Sequence, residues 1–432
     1  MRRTAATSLL LRHADFRRFY IGDVADQFGT SVTSVGVPLV AIATLHAGTF
    51  AVSLLSMAAW LPWLVIALPV GVWVDRTRHR PVMLCSAVVS GVLLASVPLV
   101  GGGSGGVGIG YLFAVTLLVG AASVFYQTAY RAYLPTLVAP EDLAEGNAKL
   151  HGSASAAQIV GRSGGGLFTQ ALGGLDVMFV NASTFVVSVF CLASIRIREA
   201  RPVEPAERVM RREIADGLRL VARDPWIRTL TVFGAVSNLA LMAYQSILPV
   251  FLIRDVGLSA GGVGLLVAAA SSGGVCGAFL VRRVAGRVGT ARTTLLFEVG
   301  LAVPAMLIAL TTKGFGTLCY LVGAFCVSAG VVAGNVIKSG FFQAYCPPHL
   351  LGRVNASASF VNYGTLPLGA LLGGVLGTLV GVPSAMWIAT AGVPAAGLVL
   401  LLSPMRSVRD LPTAGHQVRP LVSSGGRLRR TG

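Results

Sequence analysis

The sequence is short of charge. Only 12% of its 432 residues are Asp, Glu, Lys or Arg, against about a quarter in a soluble globular domain. That shortage, beside 54% apolar residues, excludes a water-soluble protein of this length. Lysine is nearly absent, occurring only at Lys149, Lys313 and Lys338, so arginine carries the positive charge. The net charge of +17 does not signal nucleic acid, because the basic residues fall between apolar runs and not on an interleaved basic and aromatic surface. Six cysteines are scattered through apolar segments with no C-x-x-C pair, which argues against a disulfide framework or metal site and for small buried hydrophobes. A G-x-x-x-x-G-K-[ST] loop is missing, and with it a built-in ATP motor. No nucleophile–base constellation stands out, so the chain is not expected to be an enzyme, and no cofactor or metal is implied. The first residues, with Arg2, Arg3 and Arg12, lack the short apolar core and cleavage site of a signal peptide.

What is present is apolar length. A helix needs about 20 mostly apolar residues to cross a bilayer. Stretches of that kind are predicted at 18–44, 50–72, 82–101, 108–130, 144–171, 176–195, 226–252, 260–281, 292–311, 315–338, 354–380 and 382–402. The even-numbered gaps and both ends hold the arginines, with Lys149 and Lys338; the odd-numbered gaps offer only Arg254 and Lys313. Basic residues stay in the cytoplasm, so both termini are expected there, in a multi-pass protein of the cell membrane.

The longest polar gap divides the chain. Residues 1–195 are expected to form one six-helix bundle and 226–403 a second. A linker at 196–225 lies between them, and a basic, disordered tail at 404–432 follows. Met210, Ile214, Leu218 and Val221 recur at helical spacing among charges, the pattern of an amphipathic helix on the cytoplasmic surface. Asp15 and Asp224 precede the first and seventh spans; Asn147-Ala148 and Asn355-Ala356 open the fifth and eleventh. A repeat at this scale implies two pseudo-symmetric bundles with a substrate path between them.

Between the second and third spans stands Gly71-Val-Trp-Val-Asp75-Arg76-Thr-Arg78-His-Arg80-Pro81. This resembles the signature loop of the major facilitator superfamily: glycine, aspartate, basic residues, then a proline opening the next helix. Gly71 would permit close helix approach, and Asp75 at a helix end calls for a cationic or helix-N-terminal partner. Further stretches resemble the bacterial drug-efflux branch that contains macrolide and enterobactin exporters. They are Gly22-Asp23 through Gly29, Tyr133-Leu134-Pro135, Asn147 to Leu150, Gly352-Arg353-Val354-Asn355-Ala356 and Gly364 to Gly369. The resemblance implies an all-α membrane protein of twelve transmembrane helices in two pseudo-symmetric bundles, usually complete as a monomer, exporting an amphipathic small molecule. It also implies that Asp75 meets Arg131, at the inner end of span four, and the Gly352–Asn355 turn, locking the halves in the outward-open state.

Ionisable residues inside a bilayer cost several kcal/mol unless paired or hydrated, and so mark function. Asp23, Asp26, Gln27, Thr30 and Ser34 recur on one face of span one. Neighbouring carboxylates disfavour double ionisation, as a group that loads and releases a proton requires; two structural acids bonded to hydroxyls or backbone are the alternative. Glu298 in span nine has no sequence-local partner. Arg162 stands in a glycine-rich stretch of span five, where antiporters of the superfamily carry a proline that is absent here; Gly152, Gly161 and Gly165 keep the spacing. Arg162 is expected to pair with Asp23 or Asp26, or else to rest on backbone carbonyls. Tyr126, Gln127, Tyr130, Asn238, Tyr244, Gln245, Asn362 and Tyr363 are candidates for a substrate-cavity wall, each also fitting simple interhelical bonding. Trp60 and Trp63 are expected to pack in the core. With protons as the coupling ion, the expected function is antiport; an importer of a small metabolite or a non-transporting membrane sensor are the alternatives.

Overall fold

In the computed structural model, residues 9–101, 107–172, 174–197, 199 and 210–413 are described. Every element among them is helical. The amino-terminal half comprises Ala14–Ala43, the pair Thr49–Val65 and Ala67–Asp75, His79–Gly101, Ile109–Leu137, Leu143–Leu172 and Val177–Ala193. After the linker helix Met210–Arg223 the second half follows. It holds Pro225–Val250, Ala260–Val288, Thr290–Glu298 continued by a tighter helix to Leu310, Thr317–Tyr345, Pro348–Leu379 and Val382–Ala396. These are spans one to six and seven to twelve.

Among the described residues eight helices are long and apolar enough to cross a membrane, or nine when the second span is taken as one helix bent by 54°. Of the other three, Val177–Ala193 is apolar but short. The first and fifth spans are 30 residues each but polar, because they carry Asp23, Asp26 and Gln27, and Lys149 and Arg162. Helices that hold charge inside a membrane face the bundle interior, and both do: Gly161 and Gly165 of span five lie against Phe28, Ser31 and Val32 of span one.

The halves meet toward the arginine-poor face. Arg254 donates to the Ala47 carbonyl at 2.8 Å and the Gly261 N–H donates to Gln170 Oε1 at 2.9 Å. Spans five and eight touch backbone to backbone there: a Cβ on Gly166 would stand 2.5 Å from the Ala260 carbonyl oxygen and 2.7 Å from Gly264 Cα. Spans two and eleven close the other side, with Gly374 against Ser53 and Gly377 against Thr49. Among the described residues these contacts bring the two halves together on this face.

On the arginine-rich face polar side chains tie helix ends together within each half. Asp15 accepts from the Arg196 and Ile197 N–H groups just beyond span six. Arg80 donates to the carbonyls of Leu192 and Ala193, closing that helix, where a cation suits the negative end of the dipole. Asp224 caps span seven through the N–H groups of Trp226 and Ile227, both at 2.9 Å, and accepts from Tyr345.

Three expectations need correction. The linker helix forms, but it is not merely laid on the surface: Gly217 packs on Ser357 and the Arg353 carbonyl of span eleven, and Val221 is buried; the side chains of Met210 and Ile214 lie outside the described ones. The tail is ordered at its start, because Met405 and Leu411 bury apolar side chains and Asp410 accepts from the Thr290 N–H at 2.9 Å; residues 414–432 lie outside the described ones. Finally, Gly352–Asn355 is no turn: it lies inside the helix Pro348–Leu379.

Candidate proton and substrate site

Span one brings Asp23 and Asp26 one turn apart, both buried, at 1% and 5% exposure. Asp23 has Gln27 on its own helix and Tyr130 of span four close by, yet neither carboxylate oxygen has a well-formed hydrogen bond. Tyr130 is held by stacking between Phe19 and Tyr126, with ring centres 5.2 and 6.3 Å away. Asp26 lines a cavity of about 220 Å³ enclosed by spans one, two, three, four and six. Its lining mixes polar side chains, among them Thr30, Ser34, Ser86, Ser90, Tyr126 and Asn181, with apolar ones, among them Trp60, Trp63, Leu112 and Phe185.

Several buried polar atoms in and beside this cavity lack a protein partner: both oxygens of Asp23, the Tyr126 hydroxyl, the Ser188 hydroxyl and the Asn181 amide nitrogen. Such groups in native proteins are satisfied by water or ligand. A cavity of about 220 Å³ with polar side chains in its lining has room for several waters.

The cavity lies inside the amino-terminal bundle and not between the halves. Trp60 and Trp63 form its boundary, their outer sides against Tyr363 of span eleven at ring-centre distances of 6.2 and 5.2 Å. The two tryptophans, expected as plain core, thus join the cavity to the interface; flanking Pro62 and the helix bend was the available signal. Asn238 ties span seven to span eleven by donating to the Asn362 carbonyl at 3.2 Å, whereas the Asn362 side chain donates within its own helix to the Ala358 carbonyl at 2.7 Å. Gln127 is partly buried and Gln245 exposed.

Arg162 does not pair with either acid. Its guanidinium crosses to the other half and donates to Ser271 Oγ of span eight at 2.7 Å. The turn of helix explains this: Gly161 and Gly165 are the positions that face span one, so the residue between them is directed elsewhere. Tyr244 is buried nearby. Glu298 has a partner that sequence separation concealed. Its carboxylate packs against Gly334 of span ten, with Lys338 one turn further along and close enough to attract it. Lys338 accordingly sits within the helix Thr317–Tyr345, about two turns before its end.

Of the signature loop, Gly71 has nothing within 4 Å of where a Cβ would stand, as has Gly152; neither serves close packing in this state. Arg76, Arg131 and Asn355 are exposed. The Asp75 side chain lies outside the described ones.

The Major Facilitator Superfamily model matches residues 19–366. The multidrug efflux pump Tap of Mycolicibacterium fortuitum is 29% identical over 398 residues, covering 89% of this chain and 94% of that one. The Tap pump of Mycobacterium tuberculosis is 28% identical over 384 residues, 86% and 89%. Among solved structures, a mutant of nucleoside transporter NupG aligns over 90% of this chain and 99% of its own at TM-score 0.76 and 10% identity. An inward-facing bacterial homologue of the iron transporter ferroportin aligns over 92% and 99% at TM-score 0.70 and 17% identity.

Proposed function

Because the chain belongs to the major facilitator superfamily, we propose that it exports an amphipathic, drug-like small molecule across the cytoplasmic membrane in exchange for protons, by alternating access. The Tap pumps, similar over most of their length, support the direction and substrate class. The observation that carries proton coupling is the buried pair Asp23 and Asp26, with Asp26 lining a cavity that holds further polar side chains. With the arginine-rich face in the cytoplasm, the face where the halves meet is the sealed, outer one, and substrate enters from within. Protonation of the pair from outside and release inside then completes the cycle. In the opposite state Asp75, Arg131 and the start of span eleven close the inner face.

Everted vesicles loaded with a pH-sensitive dye and challenged with a panel of antibiotics and dyes test this. Proton release from the vesicle interior on drug addition is expected. If no compound moves protons and none accumulates, the export reading fails.

A further inference from the structure

We propose that Arg162 is an anion subsite, and that it takes the carboxylate, or a comparable single negative charge, of an amphipathic substrate. Three observations carry it. The guanidinium has five N–H donors, and the hydrogen bond it makes is to one neutral hydroxyl, Ser271 Oγ, at 2.7 Å. The ionisable groups close enough to act on it are two tyrosines, Tyr244 and Tyr320, so among the described residues no carboxylate balances it. Its position is the third. Arg162 stands one helical turn before Gly166, whose contact with Gly264 forms the outer seal, and Ser271 lies about two turns beyond Gly264 on span eight. The side chain is therefore directed beneath the seal, from one half onto the other.

A cation without a counter-charge in a membrane interior is retained where a ligand or water supplies what the protein does not. Arginine presents a planar fork that matches a carboxylate in two parallel hydrogen bonds. A ligand bound there would hold spans five and eight jointly, and its departure would leave the Arg162–Ser271 hydrogen bond across the halves at that level. An anion at this place rests on the export reading only for the carrier of the charge, since free chloride has the same chemistry.

Equilibrium binding to the purified full chain in detergent, with no gradient, tests the subsite. The probes are a fluorescent fluoroquinolone carboxylic acid and its methyl ester, each measured in chloride and in gluconate. Tighter binding of the acid is expected, and Arg162→Gln should weaken the acid about tenfold while moving the ester less than about twofold. Arg162→Lys should restore part of the preference, because it keeps the charge and loses the fork. Acid preference independent of chloride assigns the site to the substrate's carboxylate. Competition by chloride in the unaltered chain, lost in Arg162→Gln, assigns it to free anion as well. Equal weakening of acid and ester, or no change in either, overturns the proposal. Should Arg162→Gln not fold, the unaltered chain decides: an acid bound no more tightly than its ester overturns it too. Absence of drug-evoked proton release would end the export reading and leave this binding result standing.

Discussion

Asp23 and Asp26 share a helix face, yet their surroundings differ. Asp26 lines the cavity, while Asp23 lies one turn away, its oxygens without hydrogen-bond partners. Asp26→Asn is expected to abolish drug-evoked proton release in everted vesicles, and Asp23→Asn to reduce it strongly, with both proteins folded by thermal melting in detergent. Release undiminished in both would remove the pair from the mechanism. Glu298 calls for the opposite experiment, because Lys338 faces it. Both side chains are half-buried and, among the described residues, no ion pair or hydrogen bond joins them, so losing the attraction costs at most about 1 kcal/mol. Glu298→Gln and Lys338→Gln should each lower the melting temperature by no more than about 2 °C, and both variants should still release protons. Loss of release in Glu298→Gln at an unchanged melting temperature would instead make Glu298 a second proton carrier.

At the scale of elements, the order and number of spans were legible because each crossing demands a continuous apolar run. Their ends were not. A helix rises 1.5 Å per residue, so the 29 residues of Thr317–Tyr345 exceed the roughly 30 Å hydrocarbon layer, and apolarity marks only the middle of the helix. That is why span ten read as ending at Lys338, while the helix continues to Tyr345. The polar stripe of span one was visible as a periodicity of three and four; the cavity it faces was not, because Ser86, Tyr126 and Asn181 come from three other helices. The partner of Arg162 lies 109 residues away, and no local spacing encodes it. Helix contact predicts its own test. Gly166→Leu would thrust a side chain into the Ala260 and Gly264 backbone, where main-chain atoms cannot give way, so spans five and eight cannot close. Binding from the cytoplasmic side should survive and turnover should fall at least about tenfold, since packed interfaces are bistable and not continuously deformable. Near-normal turnover in Gly166→Leu would show that the seal forms without this contact. Asp224→Ala removes the cap of span seven and the acceptor of Tyr345; a loss of about 1–2 kcal/mol is expected from thermal melting.

For the whole molecule the charge asymmetry and the seal make linked predictions. Arg78 and Lys313 are exposed on opposite faces, so a single cysteine at each, in an otherwise cysteine-free chain, reports sidedness. Lys313→Cys should react with an impermeant maleimide in intact cells, and Arg78→Cys only in everted vesicles. The seal has its own reporter in the Arg254–Ala47 contact. Cysteines at both positions should be bridged by a short bifunctional thiol reagent, which spans the gap that the arginine side chain fills, when the outer face is closed. If Asp75, Arg131 and the start of span eleven hold the alternative state, Asp75→Asn removes a stabilising contact from that state alone, and the equilibrium must shift toward the one with the outer face sealed. Cross-linking of the 47/254 pair should then become faster in Asp75→Asn than in the unaltered loop, with transport slowed because one half of the cycle is disfavoured. An unchanged cross-linking rate with unchanged transport would mean that the aspartate of the signature loop does not set the balance between the two states.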